Sequence, residues 1–434
     1  MNIVLSRIAG KILSVIFILA FVVRSIYALW GLWWAGDSPA YLALARNIAF
    51  HHSFSLITGI PTATRPPLYP FLIAALWWRD GAPVAAVVLL QAICGAATVV
   101  LVYLIAKDRF SHRVALLAAI AATLAPMTVR YTAVILTEPV FTFLVVLGFY
   151  LWGRNHGVAA GLAFGLAALT RTIIIPFLAC LVLLTFLSPW RRNRRLYLLI
   201  SVSALVVASV WIVRNVVVFR QFILVQSTGY GVNLFAGTIE TPFYGDDIWT
   251  KVTEQLGSNK PDSQDESESD RKLMLRAVTR IEADPPQYLR ARMKQYPRLF
   301  LDSGDYLLGS SNVTFGEAVQ ERRALVLLIK IGFVLGNIAI FLLAIYGIVL
   351  ERSRFVSLSH IILFPIFFSV IHLPMWIESR YSLPIMPLVL ILAARGVEGL
   401  WNSRGRWDAA TATVGRPSVA APTVNSLARS STRS

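Results

Sequence analysis

Long apolar runs recur along almost the whole chain, broken by short charged loops. A bilayer crossing needs about 17–25 consecutive apolar residues as helix. Runs of that kind fall near 12–33, 82–106, 113–129, 136–153, 157–171, 172–189, 196–217, 324–350, 356–376 and 381–401. The pattern predicts an all-α polytopic membrane protein of about ten transmembrane helices. Arg171 interrupts the run that the fifth and sixth spans share, and marks a tight turn. The stretch 67–78 is too short to cross and rich in aromatic residues, which reads as a re-entrant or interfacial helix. The first run follows Arg7 and Lys11. It is too long for a signal-peptide core and has no evident cleavage site, so it is read as a first span.

The polar stretches divide into two kinds. Residues 217–323 hold 15 of the 23 acidic residues and 13 of the 40 Lys and Arg, and are close to neutral. Within them, 257–270 is acidic and Ser-rich without apolar periodicity, the pattern of an exposed flexible loop. Residues 271–300 have helical spacing broken by Pro285, Pro286 and Pro297. The short loops and tails carry the other 27 bases and only 8 acids. Bases gather at Lys107–Arg113, Arg191–Arg195 and Arg352–Arg354, and again after Arg404. A cytoplasmic N-terminus puts all of these on the inner side, as the positive-inside bias requires. The outer side then receives 34–81, a turn at Arg130, the region 217–323 and a stretch near 373–380. The expected organisation is one membrane module, 1–401, with outer regions 34–81 and 217–323, and a disordered cytoplasmic tail, 402–434.

Composition agrees with this layout. The chain is 56% hydrophobic and 15% charged, with a mean hydropathy of +0.65, where soluble domains carry about 25% charged residues. The net charge of +17 follows the loop asymmetry and forms no basic groove, so nucleic acid is not the expected partner. Cys94 and Cys180 both lie in apolar runs and read as small buried hydrophobes. No phosphate-cradling Gly-rich loop or dinucleotide fingerprint is present.

Acids are scarce outside 217–323, which singles out Asp37 and Glu138 on the rims of spans. An ionisable group at the membrane is a functional-site hypothesis by default. Asp37 opens a helical pattern with Ser38 and Pro39, and Tyr41 lies one helical turn on, on the same face. The competing readings are plain. Asp37 or Ser38 suits a helix cap, and Glu138 suits a helix N-terminus. On the same outer side stand Arg65, Arg171, Arg214, Arg380 and Tyr381. Arginine holds a phosphate with a planar fork of donors, and each of these could equally snorkel to lipid headgroups. His51 and His52 are adjacent, so they do not share a helix face and make a poor metal pair. Asp246 and Asp247 beside Gly245 read as turn residues.

Several motifs occur in an order that resembles the GT-C integral membrane glycosyltransferases, in the bacterial family-39-like and aminoarabinose-transferase-like branch. They are Gly36 to Pro70 with its Arg65-Pro66 stretch, Leu136-Thr137-Glu138, Leu169-Thr170-Arg171, Trp211 to Asn215, Gly231 to Gly237, and Arg380 to Pro387. The resemblance spans nearly all of 1–401. It implies a GT-C-like bundle with outer-face interfacial helices that transfers a sugar from a polyprenyl-phosphate donor to an acceptor hydroxyl on the outer face. The acceptor would be a glycan, lipid or protein. On that analogy Asp37 is the catalytic base and Glu138 the second acid. Arg65 falls where the family holds the donor phosphate, and the residues themselves add Arg380 beside it, with Tyr41, Tyr381, Arg171 and Arg214 as candidate substrate-binding residues. The resemblance also raises a divalent metal held by an acid just before the basic residue. Thr64 stands there instead, so the sequence gives a metal no support. The expected location is the plasma membrane. A transporter or flippase for a lipid-linked or anionic solute is the alternative. That class places its ionisable groups near the bilayer midplane on broken helices, whereas these candidates lie at the rim.

Overall fold

The structure is a computed structural model and describes residues 2–31, 36–78, 81–239, 252, 266–301, 319–320 and 323–414. Sixteen helices are numbered along these residues. They are α1 Asn2–Trp30, α2 Ser38–His51, α3 Leu68–Ala75, α4 Val84–Arg109, α5 His112–Leu124, α6 Pro126–Arg130, α7 Glu138–Gly153 and α8 Gly157–Ala168. The others are α9 Ile174–Leu184, α10 Arg194–Phe219, α11 Tyr230–Gly237, α12 Glu266–Ala283, α13 Pro285–Gln295, α14 Ala324–Leu350, α15 Ser359–Ile371 and α16 Met386–Val414. One two-stranded antiparallel ribbon, β1 Ser55–Ile57 with β2 Ile60–Pro61, sits in the segment between α2 and α3.

Each apolar run of the sequence is occupied by helix. By length and composition, four helical segments among the described residues can cross a membrane, Gly10–Leu29, Val84–Arg109, Ser188–Phe219 and Ala324–Leu350. The pair α5 and α6, bent by 53° at its break, brings the number to five. Helices α7, α8, α9 and α15 are apolar but shorter, and Pro365 lies inside α15. Leu199, Val202, Val206, Val210 and Val213 leave a broad apolar face of α10 exposed, and Leu325, Leu328, Leu335 and Leu342 do so on α14. Such faces suit lipid, and this is a multi-pass membrane protein.

Where helices meet, small residues let them approach. Gly157, Gly161 and Gly165 recur every fourth residue of α8, on one face. A Cβ on Gly161 would collide with the backbone oxygen of Ile200, and one on Gly165 would lie 2.9 Å from that of Ala204. The α8–α10 contact is thus a small-xxx-small seam of the kind that membrane helices use for close van der Waals packing. Gly347 and Gly396 do the same between α14 and α16. Behind these seams, Phe149, Phe164, Phe177 and Phe364 pack edge to face or tilted, with ring centroids 5.0–5.2 Å apart for the pairs 149–164, 149–364 and 177–364.

Polar side chains gather at the two ends of the bundle. At one end Arg154 holds Asp108 through two bonds of 2.7 and 3.0 Å. There Glu351 joins Arg395 at 2.7 Å and Arg354 at 2.9 Å, and Ser111 donates to Glu398. Helix α7 ends at this cluster and begins at Glu138, at the other end. Helix α16 likewise starts just after Arg380 and runs to Arg395 and Glu398. The loops that follow α4 and α14 therefore lie at the end of the bundle opposite to Glu138 and Arg380.

Two expectations need correction. Residues 266–270, placed in a flexible loop, form the first turn and more of α12 and are tied down. Thr62 Oγ1 donates to Glu266 at 2.8 and 3.0 Å, and the amides of Gly229, Gly231 and Val232 donate to Asp270 at 2.8–3.1 Å. The Asp270 carboxylate supplies the acceptor that the exposed N–H groups at the start of α11 need. Residues 257–265, with Asp246 and Asp247, lie outside the described residues. The second correction concerns the tail, because α16 continues past 401 to Val414. Residues 415–434 lie outside the described residues.

Candidate functional site

Asp37 precedes α2 at the N-cap position but makes no side-chain cap bond. Its carboxylate turns to the arginines instead. Arg65 Nη2 donates to Asp37 Oδ1 at 2.7 Å, and Arg380 Nη2 lies 3.6 Å from Asp37 Oδ2. The reading of Asp37 as a simple cap fails for this reason, and so does any picture of it as an unpaired carboxylate. Arg65 comes from the segment that leads through Pro66 and Pro67 into α3, and Arg380 from a 3-10 turn, Ser379–Ser382.

Glu138 is the first residue of α7 and almost wholly buried. Arg171, in the turn between α8 and α9, pairs with it at 2.8 Å and donates to Thr137 Oγ1 at 3.3 Å. Arg380 Nη1 is 3.9 Å away. A third acid, Glu378, lies 2.6 Å from Arg380 Nε. Sequence reasoning passed over Glu378, yet its position two residues before Arg380 in an acid-poor region was the available signal.

Arg65, Asp37, Arg380, Glu138 and Arg171 therefore form one continuous chain of ion pairs, drawn from five separate parts of the sequence. Tyr381 borders it, with the Arg171 and Arg380 guanidinium carbons 5.8 and 5.7 Å from its ring centre. Tyr41 is buried beside Asp37 and packs edge-on against Tyr69 at 5.1 Å. Arg214 goes elsewhere. It donates to the Thr62 carbonyl at 2.9 Å and lies against Phe54, Trp211 and Phe219. It props the segment that leads to Arg65 and makes no contact with the acids.

Burial pushes the Asp37 carboxyl up, but the guanidinium groups of Arg65, Arg380 and Arg171 outweigh it and hold the group below its usual value. Asp37 is thus an ionised carboxylate at neutral pH. The pairing is still incomplete, because Arg65 Nε is buried without a hydrogen-bond partner. Buried polar groups rarely stay that way, so the site keeps a spare donor for an anionic ligand. A small cavity adjoins Glu138, lined in part by Arg24, Thr98, Thr132, Thr142 and Leu390.

Thr64 Oγ1 bonds to Thr62 Oγ1 at 3.0 Å, and Glu266 is the carboxylate there. Among the described residues no three His, Cys, Asp or Glu side chains cluster to hold a cation. His51 and His52 end α2, exposed.

Residues 64–213 match the family model described as dolichyl-phosphate-mannose-protein mannosyltransferase. No curated protein sequence matches the chain. The apo oligosaccharyltransferase of Archaeoglobus fulgidus is similar in structure, with a TM-score of 0.53 and 14% identity over 94% of this chain and 53% of that one. The same enzyme tethered to an acceptor peptide with the NVT sequon gives 0.50 and 12%, over 94% and 52%. Apo ArnT from Cupriavidus metallidurans gives 0.47 and 15%, over 94% and 64%. The chain spans between about half and two thirds of the length of these structures. Its fold is the GT-C fold, in agreement with the ordered motifs of the sequence.

Proposed function

We propose that this protein is a glycosyltransferase that moves a sugar from a polyprenyl-phosphate donor to an acceptor hydroxyl, with Asp37 as the base. The observation that carries this reading is the ion-pair chain. Two carboxylates and three arginines converge at one end of an apolar bundle, with the buried Arg65 Nε–H left over. The description of the matching family names a lipid-phosphate sugar donor, and a bundle with lipid-facing helices suits such a donor's tail.

The chemistry follows from the charges. A lipid phosphate is a good leaving group and needs charge stabilisation more than a proton. The acceptor oxygen attacks the anomeric carbon as its proton passes to Asp37. The bond from that carbon to the phosphate oxygen breaks, and the phosphate leaves with the electron pair. Arg65 and Arg380 stabilise it, as fixed cations do for charge that develops in a transition state. While these arginines pair with Asp37 the carboxylate is a weak base. A phosphate that draws them away makes Asp37 more basic as the substrate arrives. Glu138 keeps Arg171 and Arg380 in place from below. By the distribution of bases, the reaction lies on the outer face of the plasma membrane, with both termini in the cytoplasm.

Purified protein in lipid bilayers should consume one lipid-linked sugar from a membrane extract and release polyprenyl phosphate, and Asp37→Asn should stop it. Movement of intact lipid-linked sugar between leaflets, without sugar transfer, would overturn this reading in favour of the flippase.

A further inference from the structure

Side chains hold much of the backbone just ahead of Glu138. Between the 3-10 turn Tyr131–Ala133 and the start of α7, the chain runs buried and non-helical through Val134, Ile135, Leu136 and Thr137. Buried carbonyls must find donors. Gln91 Nε2, from α4, donates to the carbonyls of Thr132 and Val134, both at 2.8 Å. Ser38 Oγ, from the first turn of α2, donates to the carbonyl of Ile135 at 2.9 Å. Gln91 Oε1 in turn accepts from Tyr69 Oη at 2.6 Å. Ser38, Tyr69 and Gln91 are all completely buried.

The places of these two donors matter. Ser38 adjoins Asp37, and Ile135 lies three residues before Glu138, so one hydrogen bond registers the two acidic segments against each other. Gln91 ties the same linker to α4 and, through Tyr69, to α3, the helix that follows Arg65. Asp37 and Glu138 also share Arg380, at 3.6 and 3.9 Å. A drift of the linker would change how that guanidinium is divided between them.

We propose that Ser38 and Gln91 are positioning residues, which act on the transfer reaction only by fixing Glu138 at a set distance from Asp37. The kinetic part of this inference rests on the function proposed above, and its structural part does not. Misplacement of a catalytic group by about 1 Å can cost about 100-fold in rate. Ser38→Ala and Gln91→Met should therefore lower kcat by about 10- to 100-fold and leave the KM for the donor nearly unchanged, because the phosphate-facing arginines remain. Tyr69→Phe removes only the bond on the far side of Gln91 and should leave kcat within about 3-fold, the scale of one neutral hydrogen bond.

The test uses the full chain in lipid nanodiscs and combines those kinetics with hydrogen–deuterium exchange. Exchange over 131–138 should rise in Ser38→Ala and Gln91→Met, with α4 and the rest of α7 unchanged. Unchanged exchange in that peptide, or kcat unchanged in both variants, would overturn the inference. So would a joint rise of KM and fall of thermal stability that tracks the loss of kcat, since that marks general damage. Ser38→Ala is the smaller change and serves where Gln91→Met does not fold. If the wild type transfers no sugar, the proposed function fails, while exchange over 131–138 still judges the clamp.

Discussion

Arg380 Nη2 lies 3.6 Å from Asp37 Oδ2 although the two residues stand near opposite ends of the chain. The same guanidinium reaches Glu138 and Glu378. One side chain thus joins all three acids of the site.

Asp37→Asn should lower transfer by about 10²–10⁴-fold, the usual worth of a general base. Donor binding should be as tight as in the wild type or tighter, because the change releases Arg65 and Arg380 from their carboxylate. Turnover and donor affinity measured on the same preparation check both halves, and near-normal turnover would remove Asp37 from the mechanism.

Arg65 and Arg380 should bind one phosphate together. Alanine at either position should weaken donor binding, and lysine should recover only part of it, since it keeps the charge and loses the fork. A double-mutant cycle on donor affinity should show non-additive losses. Strict additivity would separate the two residues.

The pairing of Asp37 sets a pH dependence. Its carboxyl is held below the usual 3.8, so its ion pairs stabilise the fold above the unfolded-state value. That stability is lost as pH falls through the lower, folded-state value. Arg65→Ala removes the strongest of these partners and should move the acid limb of the kcat/KM profile to higher pH. An unmoved limb would mean that another group controls it.

Glu138→Gln leaves Arg171 and Arg380 short of a buried partner. Breaking a buried pair from one side costs about 3–5 kcal/mol, and partial exposure of Arg171 lowers that, so a loss of about 2–3 kcal/mol is expected. Thermal unfolding in detergent measures it. A stability equal to the wild type would show that Glu138 has little part in holding the arginines.

Gly161→Leu should separate α8 from α10, because even a Cβ at this position meets the Ile200 carbonyl. Overpacking of this kind costs about 1–3 kcal/mol. The same change at Gly332, where a Cβ meets nothing within 4 Å, should be close to neutral by the same thermal assay.

The sequence by itself determined the places of the apolar helices, since each depends on local composition over one stretch of chain. It also determined which few acids and arginines to suspect, because a charge beside a span is costly wherever the chain goes. Tertiary structure alone decided how they pair. Arg65 and Arg380 meet Asp37 while Arg171 meets Glu138, and Arg214 turns to aromatic rings and a carbonyl. Nothing in the spacing separates Arg214 from the others, because charge and depth are alike and only the direction of approach differs. Glu266 and Asp270 stand in an acidic, Ser-rich stretch that reads as solvated, and they became helix because buried N–H and hydroxyl donors of remote segments needed acceptors. Gln91 and Ser38 carry no charge and read as ordinary positions in a helix. Their role came from the carbonyls of a buried, non-helical linker, a need that exists only once the chain has folded.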